Sequence, residues 1–274
     1  MLAGFTHAVS NSIGRWRYFV KDRGGPVHPL PSGADAILSG LTEHGYAVVP
    51  NFYDQKKCSF LRNEIDRLIA EQPDVVQNDT RFSDQRIFGS ERASSAIMDF
   101  HGAQLPLSIG EHYGKRRLVS FSTLAGRLSA KPGNLGSGQG WHRDAFHFQF
   151  KAMVYLSDVS AQNGPFQLLD ASHRGARVFT DTILAGLASA PNTRLTDQQA
   201  DALLRADPAR LKTFVAPAGT MILFDSSTIH RGSPISTGTR YALTNYYYDP
   251  AHIVPAVIDA FAPYARASVT ELGS

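Results

Sequence analysis

From Arg117 onward the chain is built of short apolar runs separated by turn signals. Residues 118–129, 151–157, 166–169, 212–215, 220–224, 227–231 and 240–247 each have the length and the Val, Ile, Phe and Tyr content of a strand. Asn163-Gly164-Pro165 and Pro217-Ala218-Gly219 supply turns between them. One helical insert interrupts the series, where Thr196 and Gln199 form a capping box ahead of Ala200, Leu203 and Leu204.

The first half has a different texture. Phe5, Val9, Ile13, Trp16 and Val20 recur at helical spacing within residues 1–22, among Arg15, Arg17 and Lys21. A lone amphipathic helix is unstable, so this stripe is expected to dock on the main domain or a second copy. A weak peripheral contact with an anionic membrane is the alternative. Glycines and prolines then break the pattern between Gly24 and Gly33. The division expected is a helical segment over residues 1–32 and one domain over 33–274. Residues 45–50 read as a short strand entering a turn. A helix follows over 54–71, with Cys58, Leu61, Ile65 and Leu68 on one stripe. Residues 72–114 are polar and give no assignment beyond loop and short helix.

Composition narrows the class. At 274 residues with 43% hydrophobic and 19% charged, the chain can bury a sizeable core. A net charge of +3 gives no nucleic-acid footprint. A single cysteine rules out an internal disulfide framework and, with no secretory leader or apolar span of about 18 residues, leads us to expect a cytoplasmic protein. Cys58 sits on an apolar stripe and is expected to pack rather than react. A monomer or homodimer is expected.

The candidate chemistry lies in the β-rich half. His142 and Asp144 are two apart, so on a strand both aim to one face while Arg143 points away. His230 follows 86 residues after Asp144, and Arg240 ten residues later. Two imidazoles and one carboxylate on one face of an Fe(II) octahedron leave the opposite face open for small ligands. The planar guanidinium of Arg240 suits a dicarboxylate. Lys151, Met153 and Tyr155 share a strand face. Turned inward, Lys151 meets a carboxylate of co-substrate or substrate; turned outward, it is a solvated edge lysine. His147 reads as a half-buried histidine near the substrate, and His173 as a turn residue held by hydrogen bonds. Phe146, Phe148, Gln149 and Phe150 are candidate substrate-lining groups.

These segments carry a resemblance. Gly45 through Phe52, Trp141-His142-Arg143-Asp144, Tyr155 through Asp158, Asn163-Gly164-Pro165, Ala171-Ser172-His173 and His230-Arg231-Gly232-Ser233-Pro234 through Arg240 resemble the phytanoyl-coenzyme A dioxygenase family of Fe(II)/2-oxoglutarate oxygenases, in the family's order. The resemblance implies a double-stranded β-helix of the jelly-roll, cupin-like kind. It implies iron held by His142, Asp144 and His230, and 2-oxoglutarate anchored by Arg240; Ser233 and Lys151 are further candidate co-substrate contacts. It also implies dioxygen consumption and oxidation of a C–H bond in a small polar metabolite, such as a sugar or natural-product intermediate. Asp144 stands where related halogenases leave room for chloride, so hydroxylation is expected rather than halogenation. Two other classes compete. A metal-dependent hydrolase leaves Arg240 without a duty, and a non-enzymatic ligand-binding jelly roll leaves the triad unexplained.

Overall fold

The computed structural model describes residues 24–186 and 193–261, and Val9. The apolar stripe expected in residues 1–22 therefore lies outside the described residues, Val9 apart.

Two antiparallel sheets form the core. Helix α1 (Asp35–His44) leads through Gly45 into β1 (Tyr46–Val49), and α2 (Gln55–Glu71) follows. Asp54 caps α2 by accepting from the Lys57 N–H at 2.7 Å. The stripe read from the sequence is the buried face, since Cys58, Leu61, Ile65 and Leu68 are all fully buried. Then come β2 (Gln77–Asn78), β3 (Asp84–Ile87), α3 (Ser95–His101), α4 (Gln104–Gly114) and the long β4 (Val119–Ser129). The second half holds β5 (Phe150–Tyr155), β6 (Phe166–Leu169), α5 (Gly175–Leu184), α6 (Asp197–Ala206), β7 (Leu211–Phe214), β8 (Met221–Asp225), β9 (His230–Gly232), β10 (Thr239–Tyr248) and α7 (Pro255–Ala260). The major sheet runs β1-β8-β5-β10-β4-β3-β2 and the minor sheet β7-β6-β9.

This is the mainly β, double-stranded β-helix architecture expected from the sequence. Its apolar layer lies between the major sheet and helices α1 to α4, with Phe150, Val154, Leu223 and Leu243 facing Leu41, Leu61 and Phe100. Burial of such side chains at about 25 cal/mol per Å² holds the helices on the sheet. A second cluster, including Tyr155, Phe166, Leu168, Ile222 and Phe224, fills the space between the sheets. Four register pairs matter for the site. Arg240 lies opposite Leu128, Asp84 lies opposite Leu128 from the other side, Arg86 opposite Gly126, and Tyr246 opposite Lys151. No helix among the described residues is long and apolar enough to cross a membrane.

Three expectations are corrected. Residues 72–114 contain the paired strands β2 and β3 and two helices. Strand β3 gave no apolar signal because its inward residues, Asp84 and Arg86, face a polar cavity. The insert between the ligand segments has two helices, α5 as well as α6. Helix α5 lacks a side-chain cap and buries Asp181 and Thr182 beside Val178, so tertiary contacts stabilise it. The Thr196–Gln199 capping box stands where it was read. Finally, His142 and Asp144 lie on an irregular segment with isolated bridges, not in a regular strand.

Candidate metal centre and cavity

The segment carrying His142 is sewn to its neighbours by main-chain hydrogen bonds. The His142 N–H donates to the His230 carbonyl at 3.0 Å and the His230 N–H returns a bond to the His142 carbonyl at 2.8 Å. The Asp144 N–H donates to the Ser226 carbonyl at 3.0 Å. These bonds bring together side chains 86 residues apart. The candidate ligand atoms of His142, Asp144 and His230 all lie within 4.8 Å of one another. His142 Nε2 is 3.6 Å from Asp144 Oδ1, and His230 Nε2 is 4.0 Å from Asp144 Oδ2.

Hydrogen bonds select the ring nitrogens that face the centre. His142 Nδ1 is 2.9 Å from the Gly140 carbonyl, and His230 Nδ1 is 2.9 Å from the Thr228 carbonyl. A carbonyl only accepts, so each Nδ1 carries the hydrogen and each Nε2 presents a lone pair. Burial lowers the pKa of both imidazoles, that of His230 to about 3. Burial alone would raise Asp144, but Lys151 and the two histidines hold its carboxyl well below the usual range. Two neutral imidazoles and a carboxylate are a donor set suited to a divalent first-row metal.

Arg143, between the ligands, turns away but not into solvent. It is buried and donates to the Ser172 carbonyl at 2.7 Å and to that of Ser227. Its Nη2 lies 3.6 Å from Asp181, which also accepts two 2.8 Å bonds from Arg210. A buried Arg–Asp–Arg chain thus ties the ligand segment to α5. Gly138 provides the opposite clearance, because a Cβ at its φ of +84° would sit 2.6 Å from His142 Cε1.

A cavity of about 430 Å³, a volume usual for small-molecule sites, opens over the three residues. Arg240, on β10, lines it and donates to the Gly164 carbonyl. Lys151 turns inward and is buried, so the solvated-edge alternative is excluded. It forms an ion pair with Asp144, and its Nζ lies 4.0 Å from the Tyr246 ring centroid. Ser233 does not line the cavity. Its N–H donates to the Pro165 carbonyl at 2.9 Å and its carbonyl packs against Gly136 and Gly164. Of the stretch from Phe146 to Phe150, only Gln149 lines this cavity. Phe148 and Phe150 pack in the core instead, while His147 borders a separate depression with His252. His173 is a buried turn residue whose Nε2 faces the Thr42 carbonyl at 3.2 Å.

Several lining groups were missed in the sequence. Arg86 lies on an unrecognised strand. Tyr246 and Tyr248 lie inside the recognised strand 240–247 or just past it, where only the inward period could have singled out Tyr246 and Tyr248 together. Phe261, after α7, packs 4.9 Å from Tyr246 and 5.3 Å from Phe88 by ring centroids and lines the cavity with them. Nothing in the local sequence marks it.

Against known proteins, the sequence profile of the family described as Phytanoyl-CoA dioxygenase (PhyH) matches residues 41–242. The chain belongs to this family and is a 2-oxoglutarate-dependent oxygenase by class. No curated protein sequence matches it closely. The fold is shared with solved structures of low identity. EctD from S. alaskensis with 2-oxoglutarate and 5-hydroxyectoine superposes with a TM-score of 0.61 at 15% identity, covering 84% of each chain. The epimerase SnoN, in complex with Fe3+, alpha ketoglutarate and nogalamycin RO, gives 0.60 at 17% identity over 80% of this chain and 84% of its own. HygX from Streptomyces hygroscopicus, with nickel, 2-oxoglutarate and hygromycin B bound, gives 0.56 at 16% over 79% and 87%.

Proposed function

We propose that the protein is an Fe(II)- and 2-oxoglutarate-dependent hydroxylase of a small polar metabolite. The observation that carries this is the convergence of His142, Asp144 and His230 in the cavity that also holds the Arg240 guanidinium. His142 and His230 would hold iron through Nε2 and Asp144 through a carboxylate oxygen. When bound, the metal and 2-oxoglutarate supply the oxidation of a substrate C–H bond by dioxygen, with release of succinate and carbon dioxide. Solved structures of the same fold hold Fe or nickel with 2-oxoglutarate, which supports the cofactor assignment.

The chain's own residues contribute placement and polarity. Arg240 would pair with the distal carboxylate of 2-oxoglutarate and so orient the co-substrate. The carbonyls of Gly140 and Thr228 hold the imidazole planes, so the ligand set is organised before any metal arrives. Phe166 and Phe224 pack against His230 and exclude water from its far side. With metal bound, Asp144 would fill the coordination position that a halide needs, which favours oxygen insertion. Proteins sharing the fold include an epimerase and a carbocyclase, so the fold does not choose the reaction; the intact carboxylate supports hydroxylation.

The test is turnover of 2-oxoglutarate. Protein loaded with Fe(II) and ascorbate should convert 2-oxoglutarate to succinate slowly alone and faster with substrate, whose product gains one oxygen atom and no chlorine. His142→Ala should abolish succinate formation. Normal succinate formation by His142→Ala, or none by the Fe(II)-loaded parent, overturns the proposal.

A further inference from the structure

The described charged residues lining the cavity and its inner extension do not balance. Arg86, Lys151, Arg194 and Arg240 contribute four positive charges, against Asp84 and Asp144. Asp84 is committed to Arg86, to which it is ion-paired, and also lies in the field of Arg240. Asp144 is committed to Lys151. Arg143 adds nothing to the balance facing the cavity, because its guanidinium is turned to Asp181 and to two carbonyls. Two positive charges are therefore left over: one is that of Arg194, which is exposed and donates to the Gly138 and Gln139 carbonyls, and the other is buried.

Metal and co-substrate do not change that sum, because a divalent ion and a dianion cancel. They do change its location. Once Asp144 is a metal ligand, its charge is shared with the ion, and Lys151 loses the partner it has in this structure. Arg240 is then occupied by the co-substrate. A buried ammonium without a counter-charge is costly, and Lys151 is only 5% exposed. The surplus thus falls on Lys151, beside the metal and under the ring of Tyr246.

One wall near Lys151 is aromatic. Tyr246, Tyr248, Phe88 and Phe261 form a continuous cluster with ring centroids 4.9 to 6.1 Å apart where they touch. Resting on the oxygenase reading above, we propose that the substrate is an organic anion, its acid group paired with Lys151 and its apolar body lying on this aromatic wall. A low-dielectric cleft with one sign of surplus charge concentrates such ligands and rejects cations. The acid group is a carboxylate or a phosphate ester, since both satisfy an ammonium.

A matched probe series tests this. Benzoate, phenyl phosphate, benzyl alcohol and benzylamine carry one ring and differ in charge. Mn(II) replaces iron, and 2-oxoglutarate is kept saturating so that Arg240 is filled. Mn(II) and 2-oxoglutarate binding are first titrated by calorimetry, and probe binding is then read from paramagnetic broadening of the ring protons. At least one of the two anions should bind ten-fold or more tightly than benzyl alcohol, with benzylamine weakest. Whichever anion is preferred names the acid group. Lys151→Gln should erase most of that preference while leaving 2-oxoglutarate affinity within about three-fold. Equal or tighter binding of the neutral or cationic probe overturns the proposal. So does a Lys151→Gln variant that weakens 2-oxoglutarate but not the anion, which would make Lys151 a co-substrate contact. Failure of the parent to bind Mn(II) and 2-oxoglutarate would instead sink the oxygenase reading. The anion proposal, which needs Asp144 drawn to the metal, would then fall with it.

Discussion

Replacing Gly138 by Ala should damage the metal centre more than it damages the fold. Gly138 adopts a φ of +84°, and an added Cβ would lie 2.6 Å from His142 Cε1, where ordinary contact begins at 3.4 Å. The imidazole or the loop must yield by about 0.8 Å, whereas a functional constellation tolerates about 0.5 Å. That movement pulls His142 Nδ1 from the Gly140 carbonyl, which now holds it at 2.9 Å. Disturbing such an orienting bond costs about 10- to 100-fold in metal affinity. The left-handed backbone adds about 1–2 kcal/mol of destabilisation, or a fall in Tm of about 2–8 °C for a domain of this size. Gly140→Ala is the internal control. Its φ is +91°, so the backbone cost is similar, but an added Cβ meets nothing within 4 Å. Differential scanning fluorimetry should show both variants melting lower by comparable amounts. Calorimetric titration with Ni(II) should show weakened binding in Gly138→Ala alone. Equal Ni(II) affinity in Gly138→Ala and the parent, or equal loss in both variants, would refute the argument.

Further outcomes follow from the same geometry. Arg240→Ala should raise the KM for 2-oxoglutarate by about ten-fold or more, because a charge-assisted pair is lost. Arg240→Lys should restore little, since an ammonium lacks the planar fork; unchanged KM in both variants would place the anchor elsewhere. Asp181→Asn leaves Arg143 and Arg210 buried without their carboxylate and should cost about 3–5 kcal/mol in chemical denaturation, a loss below about 1 kcal/mol contradicting the network's role. The acid side of the stability curve should carry the signature of His101, whose pKa is lowered to about 4 by burial and then by Arg92. Its unfolded value is near 6.5, so the contribution is complete above that pH. It then declines by at most about 1.4 kcal/mol per pH unit as pH falls toward 4, because the unfolded chain binds the proton first. His101→Gln should flatten the slope in that window, measured by urea unfolding, and an unaltered slope would exclude His101 as its source.

What could be read from the sequence was whatever is encoded in local periodicity and chemistry. The strands with an apolar inward face were legible, as was helix α2 from its stripe, and the capping box at Thr196 marked the start of α6. The His-x-Asp pair, the distal His230 and Arg240 stood out because their residue types are scarce and their order is specific. Other features depend on who faces whom. Strand β3 escaped because Asp84 and Arg86 look inward at a polar cavity, so the usual apolar alternation is absent. Helix α5 escaped because a buried Asp181 is tolerable only with Arg210, 29 residues away, beside it. Lys151 was poised between a solvated edge and a site residue until the register of β10 set it opposite Tyr246 and the main-chain bonds of the ligand segment brought Asp144 to it. Phe261 joined the cavity wall only when α7 folded back across the end of β10. Sequence periodicity records which side of an element is buried. Whether that side meets apolar core, a counter-charge or a cavity is decided by partners distant in the chain, and only the tertiary structure supplies them.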